Sequence, residues 1–296
     1  MSVGENAPNG AMLHYVLPDT TSKEITLTIR DAKGDSVITY SSEKDPKGEP
    51  FTVDASFHLD SLHRPSPQAL TKLKGLNTFR WNLRYPDAER LEGAVMWGGG
   101  TSGPRALPGT YSATMKVGTD SATVPLTIIS DPRLTTSAAD LQAQFDMIQK
   151  INAKTTEVHK AIKRIRTIKQ QVSGVTSRFA DLDTATSKPA KELAKVITDT
   201  LTSIENELVQ TKAKAGQDLL NYPVKLNNKI ASLADVVASA DYAPTQQSID
   251  LYNELSRQAD AYLATIAWVE SAKITEFNTA IDALKLPAVA PNKDGK

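Results

Sequence analysis

The feature that most limits what this chain can fold into is a change of hydrophobic period at Asp131-Pro132-Arg133. Upstream of it apolar and polar residues alternate; downstream the apolar residues recur about every three to four positions. Proline cannot continue a central ladder, so a sheet that reaches Pro132 ends there. The stretch from Gly75 to Arg133 reads as the closing strands of a β-structure. Leu76 to Leu83 alternates with Phe79, Trp81 and Leu83 on one face, which makes Trp81 a core side chain rather than a ligand platform. Pro108-Gly109-Thr110-Tyr111 turns into a strand with Tyr111, Ala113, Met115 and Val117 inward. Gly118-Thr119-Asp120 then reverses the chain into a last strand, Ala122 to Ile129.

The residues before this stretch have the same character. Met12 to Leu17 is a first strand stopped by Pro18-Asp19. Glu24 to Arg30 carries Ile25, Leu27 and Ile29 on one face. A turn with Gly34 at positive φ then returns Ser36 to Tyr40 as a hairpin partner. Residues 1–11 read as a linker, and 41–74 as a loop-rich insertion. Strands near ten-residue spacing, divided by Gly/Pro/Asp turns, predict an immunoglobulin- or fibronectin-III-like β-sandwich over 12–133.

Everything after Arg133 has a helical period. Ser137 and Asp140 form a capping-box-like start. Leu141, Phe145, Ile148, Ile151, Val158, Ile162, Ile165 and Ile168 follow on one face, and Gly174 marks the end. A second helix is expected from Pro189 with Leu193, Ile197, Leu201, Ile204 and Leu208, stopping by Gly216. A third is expected from Pro223 and a fourth from Pro244-Thr245. One-sided stripes of this length need partners, so 134–286 is predicted to be an antiparallel four-helix bundle, with 287–296 a disordered tail. The fold class is therefore all-β followed by all-α.

Composition narrows the function. Lys+Arg and Asp+Glu are both 34, so no net field draws the chain to nucleic acid. There is no cysteine, hence no disulfide, thiolate metal site or Cys nucleophile. Apolar runs such as Val124 to Ile129 are too short to span a membrane. The opening MSVGENAPNGAM has neither a basic nor an apolar signal region, so no signal peptide is expected.

Individual residues point to little chemistry. His58 and His63 lie near Asp54 and Asp60, but their spacing fits no helical ligand motif, so no metal or cofactor is assigned. His159, among Lys160, Lys163, Arg164, Arg166 and Lys169, reads as solvated; the basic face is expected to pair with acids on neighbouring helices. Asp87, Glu89 and Glu92 could in principle supply a glycosidase carboxylate pair, and a charged surface loop explains them better. No G-x-S-x-G or H-E-x-x-H occurs, and no catalytic residue is assigned. The most unusual run is WGGGTSG, Trp97 to Gly103. It lacks the Gly-Lys-Ser/Thr of a phosphate loop, and reads first as a loop needing backbone freedom. The binding alternative uses Tyr85, Trp97, Gly98, Gly99 and Gly100 as a sugar or peptide contact.

The strings GENAPNGAMLHYVLPD, NTFRWNLRYPDAERLEGAVMWGGG, LPGTYSATMKVG, DPRLTTSAADLQAQFDMIQKI and KLNNKIASLADVVASADYAPTQQ resemble the C-terminal region of bacterial sortilin-like propeller proteins. Those are large exported proteins with BNR- and WD-type propeller repeats, often labelled glycosyl hydrolases. The resemblance spans most of the chain and is weakest over 41–74. The propeller repeats themselves are absent, so no catalytic residue carries over. The resemblance implies a periplasmic or extracellular, non-catalytic accessory module whose partner is a protein or the missing propeller. The alternatives are a carbohydrate- or peptide-binding module using the Tyr85–Gly103 loop, and part of a glycoside hydrolase whose active site lies outside this chain.

Overall fold

A computed structural model describes residues 9–43, 70–179 and 184–285. Among them, six strands come first: β1 (Ala11–Leu17), β2 (Ile25–Arg30), β3 (Ser36–Ser41), β4 (Gly75–Trp81), β5 (Gly109–Val117) and β6 (Asp120–Ile128). The helices follow: α1 (Ala138–Thr176), α2 (Thr184–Leu208), α3 (Leu226–Val237), α4 (Gln246–Trp268) and α5 (Ile274–Ala283). A π turn over Val269–Lys273 joins α4 to α5, with Ile274 N–H reaching back to Val269 O, so these two form one helical run and the region has four. A β-region followed by a helical region is what the change of period predicts. Most of the expected linker 1–11, most of the insertion 41–74 and all of the tail 287–296 lie outside the described residues.

The strands form two sheets. β1 and β4 pair antiparallel, from Ala11 opposite Trp81 to Leu17 opposite Gly75. The other sheet has the order β3-β2-β5-β6 with antiparallel neighbours throughout. β6 is an edge strand, which is why it tolerates Pro125 and buries so little of itself.

Contacts divide the chain into two compact units. One comprises Met1–Ala88, Gly100–Ala153 and Leu233–Ile249; the other comprises Glu89–Gly99, Lys154–Ser232 and Asp250–Lys296. In the first, Leu13 and Leu17 of β1, Ile25, Leu27 and Ile29 of β2, Phe79 and Trp81 of β4, and Tyr111 and Ala113 of β5 share one apolar cluster. The alternation in each strand thus turns one face of both sheets into a common core. Trp81 is fully buried, donates from Nε1 to Arg84 O at 3.1 Å and meets the Tyr111 ring edge-on at 5.7 Å. The expected core role of Trp81 holds. Leu83 lies beyond the end of β4 and takes a left-handed backbone with φ 58°, yet it is half-buried and packs against the same cluster as Phe79 and Trp81.

The helical starts read from Pro189 and Pro223 differ from expectation. α1 begins as predicted, with Asp140 N–H donating to Ser137 Oγ at 3.1 Å, and it runs through Gly174 to Thr176. α2 begins at Thr184 and carries Pro189 in its second turn, where the missing N–H forfeits one bond near the helix start. α3 begins at Leu226 rather than Pro223. The last run starts as expected, with Ser248 N–H on Thr245 Oγ1 at 3.2 Å. In the second unit Val158, Ile162 and Ile165 of α1 and Ile197, Leu201 and Leu208 of α2 are buried, and α2 lies against α5.

Candidate functional site

The loop between β4 and β5 is held in each unit by a different set of bonds. In the first unit its two arms pair. Tyr85 N–H donates to Pro104 O at 3.0 Å, Ala88 N–H to Thr101 O at 2.7 Å, and Ala106 N–H to Leu83 O at 2.7 Å. Asp87 Oδ1 accepts from Gly103 N–H at 3.0 Å, and Arg84 Nη1 donates to Gly103 O at 2.6 Å. Gly103 is required by the closeness of the arms: a Cβ there would stand 1.9 Å from Tyr85 O. Tyr85 is half-buried with its ring edge-on to Phe145 at 4.8 Å, and burial pushes its hydroxyl up to about 12. Burial, followed by the neighbouring Arg105, lowers the pKa of the Arg84 guanidinium.

A cleft of about 410 Å³ lies beside these arms, entirely within the first unit. Arg84, Arg105 and Asp235 give it charge, while Leu134, Leu141 and Phe145 give it apolar surface. Its walls are tied together by Gln144 Nε2, which donates to Val237 O at 2.8 Å, and by Asn152 Nδ2, which donates to Ser102 O at 2.9 Å.

In the second unit, helix side chains grip Glu89 to Gly99. His159 Nδ1 is 2.6 Å from Glu89 O. A carbonyl only accepts, so Nδ1 carries the proton, and Nε2 is left to accept from Asn227 Nδ2 at 3.3 Å. The expected solvated histidine is therefore corrected: His159 is fully buried, and burial, with Lys163 adding to it, lowers its pKa. The reason is its position on α1, four residues after buried Thr155 and three before buried Ile162, which puts it on the core face. Arg164, Arg166 and Lys169 pair with acids on neighbouring helical elements as expected, while Lys163 pairs with an acid of the loop. Lys163 meets Glu89 at 2.7 Å, Arg164 meets Glu270 at 3.0 Å, and Arg166 and Lys169 meet Glu205 at 2.7 and 3.1 Å. The hydrogen bond from Lys163 holds the Glu89 carboxyl below the usual range.

Trp97 is half exposed, yet its backbone is clamped by Asn228. Trp97 N–H donates to Asn228 Oδ1 at 2.7 Å, while Asn228 Nδ2 donates to Trp97 O at 3.1 Å and Gly98 O at 3.0 Å. Gly98 and Gly99 have φ of 60° and 69°, and a Cβ on Gly99 would stand 2.4 Å from Ser232 N. Of the five residues singled out from the sequence, Trp97, Gly98 and Gly99 thus belong to the second unit, and Tyr85 and Gly100 to the first. The three acids singled out are Asp87, capping Gly103 in the first unit, Glu89, paired with Lys163, and exposed Glu92 in the second. Asn228, Glu205 and buried His159 were not singled out. The one available signal was Asn227-Asn228 in the second turn of the helix expected from Pro223, where asparagine is a poor helix former unless its amide has another partner.

Among the described residues no group of three or more His, Asp or Glu is placed to hold a metal ion. His58, His63, Asp54 and Asp60 lie outside the described residues. No helix among them is long and apolar enough to cross a membrane. No family model, curated protein or solved structure matches the chain.

Proposed function

We propose that this chain is a non-catalytic interaction module, the accessory part of an exported protein of the sortilin-like propeller kind. In this reading residues 12–133 are an immunoglobulin-like sandwich, residues 134–286 are an antiparallel four-helix bundle, and the β-region rests on a propeller. The observation that carries it is the outer face of the β1–β4 sheet. Val16 and Leu76 stand opposite each other in register and are 69% and 71% exposed, and Met12, on the same face of β1, is 45% exposed. Among the described residues each of these strands has one neighbour only. A two-stranded sheet with an exposed apolar pair on its outer face and, among the described residues, unpaired edges is suited to receive another protein surface. The test is the mass of the native protein in its source cells, read with an antibody against the helical region. A species well above 32.0 kDa is expected, and one at 32.0 kDa refutes the propeller partner.

A second reading, carbohydrate or peptide binding, is favoured by Trp97 alone. Its ring is half exposed while its backbone is bonded on both sides by a buried asparagine, which suits an aromatic face presented to a ligand. Trp97→Ala should then abolish retention on a glycan array with Tm nearly unchanged. A large fall in Tm would mark Trp97 as packing instead.

A further inference from the structure

A second cavity, of about 420 Å³, lies wholly within the second unit and is lined by charged and polar side chains around Gly93. Its size is that of small-ligand sites. α1 brings Arg166 and Lys169 to it, three residues apart on one helix face; α2 brings Thr202, Glu205 and Asn206; the segment after α2 brings Lys214.

An inventory of donors and acceptors says what could fill it. Both oxygens of Glu205 are occupied, Oε1 by Arg166 Nε at 2.7 Å and Oε2 by Lys169 Nζ at 3.1 Å. Arg166 Nη1 goes to Glu92 O at 3.2 Å, and its Nη2 makes no hydrogen bond among the described residues. The guanidinium fork, which matches a carboxylate or phosphate bidentately, is thus split. Lys169 uses one of its three protons. Among the described residues the Lys214 ammonium uses none, its backbone N–H alone being bonded, to Asp218. Asn206 Oδ1 accepts from Thr211 at 3.0 Å, which leaves its Nδ2 as a further donor. Arg166, Lys169 and Lys214 against Glu205 and Glu92 leave the lining with a formal charge of +1 (three cations, two anions). Donors are in surplus, and the one carboxylate not already taken, Glu92, is exposed.

We propose that this cavity binds an oxyanion, a carboxylate or phosphate group, either free or carried on a small hydroxylated molecule. Arg166 Nη2, Lys169 Nζ and Lys214 Nζ supply the charge-assisted bonds, and Asn206 Nδ2 and the Thr202 hydroxyl the neutral ones. Glu205 keeps Arg166 and Lys169 in place, and the ligand takes the donors it leaves over.

The test is titration of the whole ¹⁵N-labelled chain at low ionic strength with sodium phosphate, sodium glucuronate and glucose, followed at the Gly93 backbone amide and the Asn206 side-chain amide. Saturable shifts are expected with the anions and none with glucose. Phosphate alone would identify the free ion as ligand; glucuronate binding more tightly than phosphate would identify the hydroxylated carrier. Lys214→Ala, which keeps the backbone bond to Asp218, should weaken binding about tenfold, one charge-assisted hydrogen bond. Glu92→Gln should tighten it, and added salt should weaken it. The proposal is overturned if neither anion gives a saturable shift up to about 20 mM, if glucose binds equally well, or if folded Lys214→Ala binds as the parent does.

Discussion

Replacing Asn228 with Ala isolates what holds Trp97 in place. Asn228 is 2% exposed; its Oδ1 accepts from Trp97 N–H, and its two Nδ2 protons are shared among Trp97 O, Gly98 O and Ser232 Oγ, three hydrogen bonds in all. A net worth of about 1 kcal/mol each gives about 3 kcal/mol for the clamp. At about 1.4 kcal/mol per factor of ten, the open form of the loop should rise by roughly two decades. The assay is native-state hydrogen exchange at the Trp97 amide, with Tm alongside. Asn228→Asp is the control: it retains an acceptor for Trp97 N–H and replaces the donor to the two carbonyls with an oxygen. The buried carboxylate then faces both carbonyls, so this variant should protect the Trp97 amide no better than Asn228→Ala does. If Trp97 protection falls less than about threefold in Asn228→Ala, the clamp does not hold the loop and the reasoning fails.

Two glycines should respond with opposite signs. Gly103→Ala puts a Cβ 1.9 Å from Tyr85 O and 2.6 Å from Pro86 O, both backbone atoms, and should cost about 3 kcal/mol in urea unfolding; a midpoint equal to the parent's would contradict the pairing of the loop arms. Gly174→Ala meets nothing within 4 Å inside α1 and should raise stability by about 0.5–1 kcal/mol; a loss would show that the helix does not run through that position. For His159 the folded pKa lies below the ordinary histidine value of about 6.5, so between the two values the unfolded chain binds the extra proton. Stability is then complete above 6.5 and declines as pH falls toward the folded value. Tm should drop on acidification in the parent and drop less in His159→Gln; equal pH profiles would remove His159 as the cause.

What the sequence determined by itself is whatever depends on period and on local backbone chemistry. Ile25, Leu27 and Ile29 alternate, and all three are buried; Gly34 was expected at positive φ and has φ 87°. Ser137 and Asp140 begin a helix because their bonds lie within one turn. Prolines were poorer guides, since Pro189 and Pro223 mark preferences for a helix start that packing overrides. Only the tertiary structure decided where the loop residues went. Tyr85 and Trp97 are twelve positions apart in the sequence, yet the first packs on Phe145 and the second is clamped by Asn228, each from its own compact unit. His159 does lie on the apolar period of α1, three residues before Ile162, but Glu205 has no period or motif that marks it. Their polar partners, Glu89 and Arg166, are 70 and 39 residues away, and bonds at that separation leave no local trace in the order of residues.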